Sequence, residues 1–573
     1  MRKSIRSAFT VLIVCVLAAC GESDNRTTIS EDQTAQLAGA DTVYINGDIY
    51  TLNSQMAWAK SLAVTGKNIS CISETNSCVD TKDENTRIVD LAGKFMLPGL
   101  HDTHTHIMYG GTLSSGAWLN LFDSQSAEQT LAMIDEYASA LAPDEWLIAS
   151  GYKYDHFPSG VNRQQLDEVT HGHPTIVSSD TQHTGWYNTL ALAQLGIDAN
   201  TPNPEGGEFT RETDGFPSGE AKEMAHMGTG APRMLSLLTQ EKRKAAIKAG
   251  TAVYNSLGIT SYVNALTDIG TEGDFRDLSA AGELNARVNL NLYYQVDKSP
   301  EENIASLQQR AFSGDEMLRA NSVKFVGDGV IGSTAAMEQP YADGSLGLPI
   351  YSEQQLIEAV KAVSANGYRI YLHSCGDTPV KWALEGIRQA QEADQYDASK
   401  RHTFTHLDYI SNDQIAAMAE YDIQASVSPA WATENYFMNL VKLAIPDERY
   451  DNLYKFREMI DAGVNVSGGA DWPTTPDVDP LVYIQSAITR EHPIEQAGSL
   501  AGGLLTLDEA LRMYTINGAI QMQQEDITGS LEVGKRADLV VLDKNLFNID
   551  AADIYTAKVQ MTVLNGNTIY SSH

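Results

Sequence analysis

Two stretches of the chain alternate apolar and polar positions in short runs broken by turn pairs: residues 41–97, with Asn46-Gly47 and Gly66-Lys67, and residues 526–573. Alternation places successive side chains on opposite faces of an extended strand, so both stretches predict short strands with one buried face. Together they predict one small β-sandwich assembled from both chain ends. Between them, short β-rich runs recur at 257–263, 322–326, 368–372, 402–405 and 464–467. This rhythm predicts an α/β fold, a (β/α)8 TIM-like barrel over 98–525. That segment holds 428 residues, against about 250 for a plain barrel. Most of the excess falls between His106 and Lys324, 218 residues apart, where three βα units need roughly 90. An insertion is therefore expected at about 108–245.

The ends of these runs carry the candidate chemistry. His104 and His106 sit two apart after Pro98-Gly99, so on a strand both imidazoles face one way and can share a metal ion. Alone, the pair is equally read as two polar residues on a half-buried strand. Three more runs, however, end in His373, His406 and Asp471. The spacings, 33 and 65 residues, match one and two βα units of roughly 30 residues. This places them on strands 5, 6 and 8, at the strand ends where barrel enzymes keep their catalytic groups. Lys324 lies inside the run 322–326; a buried lysine loses its charge readily, and a neutral amine can take up CO2.

The order His-x-His, Lys, His, His, Asp resembles the amidohydrolase superfamily, and within it the YtcJ-like branch that includes formamide deformylases. The closing segment Gly529-Ser530-Leu531-Glu532-Val533-Gly534-Lys535-Arg536-Ala537-Asp538 and the opening Asp41 to Gly47 are similar to that superfamily. Lys324 to Gly329 and His183-Thr184-Gly185-Trp186-Tyr187-Asn188 look like the branch itself. The resemblance implies a metal-dependent amidohydrolase that cleaves a small or non-peptide amide. Its cofactors would be two divalent ions, zinc by preference, bridged by a hydroxide and by a carbamate on Lys324. His104, His106 and Asp471 would serve one ion, His373 and His406 the other. Asp471 would act as base and then acid, and His183 would grip the substrate carbonyl. Two departures touch the support of these ligands: Thr405 replaces the Glu that often precedes the strand 6 histidine, and Ala470 replaces the Ser before the strand 8 aspartate. A site without the carbamate would be mononuclear, held by His104, His106, His373 and Asp471, with His406 turned to substrate; that is the deaminase alternative, acting on a ring C=N bond. A binding lipoprotein that has lost catalysis is a third reading.

The remaining features concern location and packing. Arg2, Lys3 and Arg6 precede an apolar run at 8–17 and then Leu17-Ala18-Ala19-Cys20, the pattern of a bacterial lipoprotein signal over 1–19 with lipid on Cys20. An ordinary secretory peptide cut near Ala19 would export the chain equally. Residues 20–40 read as a flexible tether, which anchors the protein to a membrane of the bacterial cell envelope. The net charge of −34 argues against a nucleic-acid partner. Cys71 and Cys78 flank a hairpin-like loop and read equally as a disulfide or as two small buried residues. Cys375 reads as a packed thiol. Most of Trp146, Tyr152, Tyr154, Phe157, Trp186 and Tyr187 are expected in the core of the insertion, and Trp431 and Trp472 read either as pocket wall or as packing. His101, at an odd spacing from His104, should face away from the metal pair. The oligomeric state is left open, a homo-oligomer included.

Overall fold

Eight parallel strands curl into one sheet: β1 (Leu100–Thr105), β2 (Ile259–Thr267), β3 (Arg287–Tyr293), β4 (Leu318–Val326), β5 (Arg369–Ser374), β6 (Thr403–His406), β7 (Gln424–Val427) and β8 (Val466–Gly468). Each pairs in parallel with its neighbours in this order. The computed structural model describes residues 39–573 apart from 476, 496, 497 and 573. The leader, Cys20 and nearly all of the tether therefore lie outside the described residues, among which no helix is long and apolar enough to cross a membrane.

The strands are buried almost throughout, as expected where helices cover a parallel sheet. Helix Asp377–Glu392 shows how the cover is made. It buries Val380, Ala383, Leu384, Ile387 and Ala390, the i, i+3, i+4, i+7 stripe of a one-faced helix. Helix Glu353–Ala365 beside it starts at a capping box between Ser352 and Gln355, which satisfies two of the amides left free at a helix start. Truncating Ile387 to alanine would cost roughly 2–5 kcal/mol.

The barrel is nearly closed. β1 meets the end of β8 through backbone bonds just beyond the strands, Asp471 N–H to His104 O at 2.7 Å and His106 N–H to Trp472 O at 2.8 Å. The approach is tight enough that a Cβ on Gly469 would lie 2.6 Å from His104 N, which is why glycine stands there.

The chain ends form two stacked sheets. One contains Asn68–Ser73, Ser61–Thr65, Thr42–Ile45 and Arg87–Asp90; the other pairs Phe95–Pro98 from the first half with Leu539–Leu542 from the second. Tyr44, Leu62 and Ile69 pack against Met96, Leu539 and Val563 between them. Cys71 and Cys78 are joined by a disulfide. Between β1 and β2 stands a separate six-stranded sheet, running from Leu119–Asn120 to Pro217–Glu223. Tyr152, Phe157 and Trp186 fill its core with Leu147 and Val177, so these aromatics are packing residues.

Candidate metal centre

His104 and Asp471 come from opposite margins of the barrel sheet, and one buried carboxylate ties them. Asp102 accepts from His104 N (2.9 Å) and Tyr254 Oη (2.9 Å) on one side and Ala470 N (3.2 Å) on the other. A single side chain thus fixes the spacing of β1 and β8. The result is convergence: His104 Nε2 and His106 Nε2 both lie 3.2 Å from Asp471 Oδ1. Two ligands each 2.0–2.1 Å from a tetrahedral zinc stand about 3.3 Å apart, so the spacing fits such an ion. His104 is also set in the right tautomer. Tyr371 donates its hydroxyl proton to Thr103 O (2.6 Å), so His104 Nδ1–H donates to Tyr371 Oη (3.0 Å) and the Nε2 lone pair stays free.

Two buried atoms here have no hydrogen-bond partner, Asp471 Oδ1 and His406 Nε2. Orphaned buried acceptors cost about 1–3 kcal/mol each, and both belong to residues held at positive φ, 54° for Asp471 and 70° for His406. Strain and unmet bonding at the same place fit a donor set awaiting a cation. The electrostatics agree. Burial drives His104 down to about 3, and Lys324 adds to it. His373 and His406 are also pushed well below the usual imidazole range, chiefly by burial. Neutral imidazoles are the form that binds a metal.

The remaining candidates gather around this triad. Lys324, 2 % exposed, places Nζ 5.3 Å from the Tyr371 ring centre. Burial lowers its ammonium to about 8, against the pull of Asp471. The His406 ring centre lies 4.6 Å from that of His104 and 4.3 Å from that of His373. His373 Nε2 points instead toward Asp328 Oδ1 (3.7 Å) and Cys375 Sγ (3.8 Å). Burial raises the Cys375 thiol well above its ordinary value, which makes it a packed thiol. Trp431 stacks on His406 at 5.3 Å and 3°, whereas Trp472 packs against Tyr254 and over Gly110. One tryptophan therefore braces the site and the other is packing. His101 turns away and bonds Gly99 O.

A cavity of about 660 Å³ opens above His104, His106, Lys324, His373 and Asp471, with His183, Met224 and Met227 of the insertion on its other wall. His183 Nδ1 sits 2.6 Å from Glu223 Oε2. Burial lowers the His183 imidazole, but Glu223 outweighs it, and the net shift is upward. Sequence reasoning missed Asp102, Tyr371 and Glu223. The first lay within the motif without an evident task, and the others carry no local signal.

Residues 87–570 match the model of the Amidohydrolase family. The chain is 25 % identical to the putative amidohydrolase YtcJ of Bacillus subtilis over 498 residues, covering 85 % of this chain and 90 % of that one. It is 23 % identical to the N-substituted formamide deformylase of Arthrobacter pascens, covering 92 % and 97 %. An uncharacterized metal-dependent hydrolase from Pyrococcus furiosus shares the fold, with a TM-score of 0.68 at 22 % identity over 88 % of this chain and 99 % of that one. The chain belongs to the amidohydrolase family, in the YtcJ-like branch of its superfamily.

Proposed function

We propose that the protein hydrolyses the C–N bond of a small or non-peptide amide, releasing a carboxylic acid and an amine. The observation that carries this reading is the convergence of His104, His106 and Asp471 on one point at the floor of the cavity. These three would hold one divalent ion, zinc by donor type. His373 and His406 would hold a second, with Lys324 contributing to both as a carbamate formed from CO2. Bound there, such ions lower the pKa of water toward neutrality and polarise a carbonyl oxygen. Asp471 accepts the proton of the attacking water and hands it to the leaving nitrogen, acting first as base and then as acid. His183, gripped at Nδ1 by Glu223, donates from the rest of its ring to the developing oxyanion. Similarity to the formamide deformylase makes N-substituted formamides the first compounds to assay.

A mononuclear deaminase is the second reading, favoured by the one specific fact that His373 faces Asp328 and Cys375 rather than the triad. Metal content decides between them, measured by plasma mass spectrometry on protein prepared with bicarbonate. About two ions per chain, falling in Lys324→Ala, support the carbamate-bridged amidase. One ion, indifferent to the lysine, supports the deaminase. No turnover of any amide or ring C=N substrate, with metal bound, would leave a binding protein. Export to the cell envelope on a lipid at Cys20 is also inferred from the leader, and mass spectrometry of the mature N-terminus tests it.

A further inference from the structure

Glu223 has no place in the ligand set, yet its backbone N–H and both carboxylate oxygens are engaged at the seam between insertion and barrel. It ends the insertion strand Pro217–Glu223 and is 2 % exposed. Its backbone takes φ 48°, ψ −124°, a conformation that residues with a side chain avoid. Three bonds hold it there. Its N–H donates to His183 O at 2.8 Å, Oε2 meets His183 Nδ1 at 2.6 Å, and Oε1 accepts from Thr334 Oγ at 2.6 Å. Thr334 in turn accepts from Val330 N at 3.0 Å, in the loop that leaves β4 a few residues after Lys324. Gly329 of the same loop has no room for a Cβ, which would collide with both Thr334 Oγ and Glu223 Oε1.

The carboxylate therefore joins a histidine of the insertion to a loop of the barrel, across the wall of the cavity. A carboxylate oxygen only accepts, so His183 Nδ1 is the donor and its other nitrogen is left for the cavity. His183 lies 5.3 Å, ring centre to ring centre, from His373, so its aim depends on where the insertion rests. We propose that Glu223 is a positioning residue: it fixes the aim of His183 and, through Thr334, locks the insertion onto the loop after β4, so that the cavity is shaped for reaction only while this bridge is made. The proposal rests on His183 acting on substrate, as argued above.

Kinetics and hydrogen exchange test it together. With 4-nitroformanilide as the amide probe, Glu223→Gln should lower kcat roughly 10–100-fold, the usual effect of removing a partner that orients a site residue, and Thr334→Val should lower it less. Because much of Glu223's effect runs through His183, the double variant His183→Ala/Glu223→Gln should lose less than the product of the two single losses. An additive double variant would overturn the proposal, as would an unaltered kcat in Glu223→Gln beside an impaired His183→Ala. An unaffected His183→Ala would instead strike down the role given to that histidine in the proposed reaction, and the positioning claim with it. Hydrogen exchange needs no substrate. In Glu223→Ala the segments 180–187 and 330–336 should exchange faster while 318–326 stays as in the wild type. Unchanged exchange in both segments would show that the bridge locks nothing.

Discussion

The two ends of the barrel bury charged groups in opposite ways. At the N-terminal end of β3, Arg287 Nε donates to Asp538 Oδ2 at 2.7 Å, both side chains fully buried, and Asn565 N–H donates to the other carboxylate oxygen at 2.8 Å. At the C-terminal ends, Asp471 Oδ1 and His406 Nε2 have no hydrogen-bond partner, and burial pushes the imidazoles of His104 and His406 toward the neutral form. A buried ion pair with its bonds made holds the barrel floor to the chain-end sheets. A buried donor set with its bonds unmade does nothing for the fold and requires a ligand to explain it. Both clusters bury polar groups, but Arg287 and Asp538 carry their own partners whereas Asp471 Oδ1 and His406 Nε2 lack theirs, and it is this difference between the two clusters that the variants below test.

This contrast predicts a crossed pattern of variants. Asp471→Asn should lower amide turnover by about 10²–10⁴-fold, the usual worth of a general acid–base group, while the melting temperature of the metal-free protein holds or rises. Arg287→Met should do the reverse: a loss of about 3–5 kcal/mol, because Asp538 is left charged and unpaired in the interior, with turnover per folded molecule unchanged. Denaturant melts alongside initial rates check both. If Asp471→Asn unfolded the metal-free protein, or Arg287→Met lost turnover without losing stability, the division between the two ends would fail.

Lys324 offers a finer test, because the proposed reaction uses it and its burial opposes folding. Its folded ammonium sits at about 8, below the ordinary lysine value of about 10.4. Between these values the unfolded chain binds more protons than the folded one, so metal-free wild type should gain stability as pH rises from 8 toward 10. Below 8 both states carry the charge and the difference is constant. Lys324→Met should lack this rise, and melts across the pH series would show it. Parallel curves would mean that the lysine is not held away from water, and a carbamate there would lose its rationale.

Much of the site end was legible because the candidate ligands obey strand geometry. His104 and His106 share a face by a period of two, and the 33- and 65-residue spacings place His373, His406 and Asp471 at the ends of β5, β6 and β8, where they stand. The barrel followed from the same rhythm. The groups that tune the ligands were not legible. Tyr371 reaches His104 from β5, and Glu223 reaches His183 across 40 residues; neither spacing has a period, since each contact exists only after distant elements dock. Asp102 was in plain view, but its work of joining β1 to β8 depends on barrel closure. Trp431 and Trp472 looked alike in sequence and part company only in three dimensions, one stacked on His406 and one wedged over Gly110.

The smallest effect is expected in a third region, remote from both barrel ends. Sequence left Cys71 and Cys78 open between a bond and two packed thiols, because a separation of seven suits either. They are bonded, and Cys78 is buried against Val43 and Ala63. A short closed loop removes little entropy from the unfolded chain, so Cys71→Ser should cost only about 2 kcal/mol. The double variant Cys71→Ser/Cys78→Ala should cost about the same, since the second thiol contributes little once the bond is gone. Neither should change metal content or turnover, because the sandwich touches the barrel at the floor and the ligands stand at the opposite ends of the strands. Loss of bound metal in either variant would mean that the two ends are coupled through the barrel, and the separation of scaffold from site would then be one of degree.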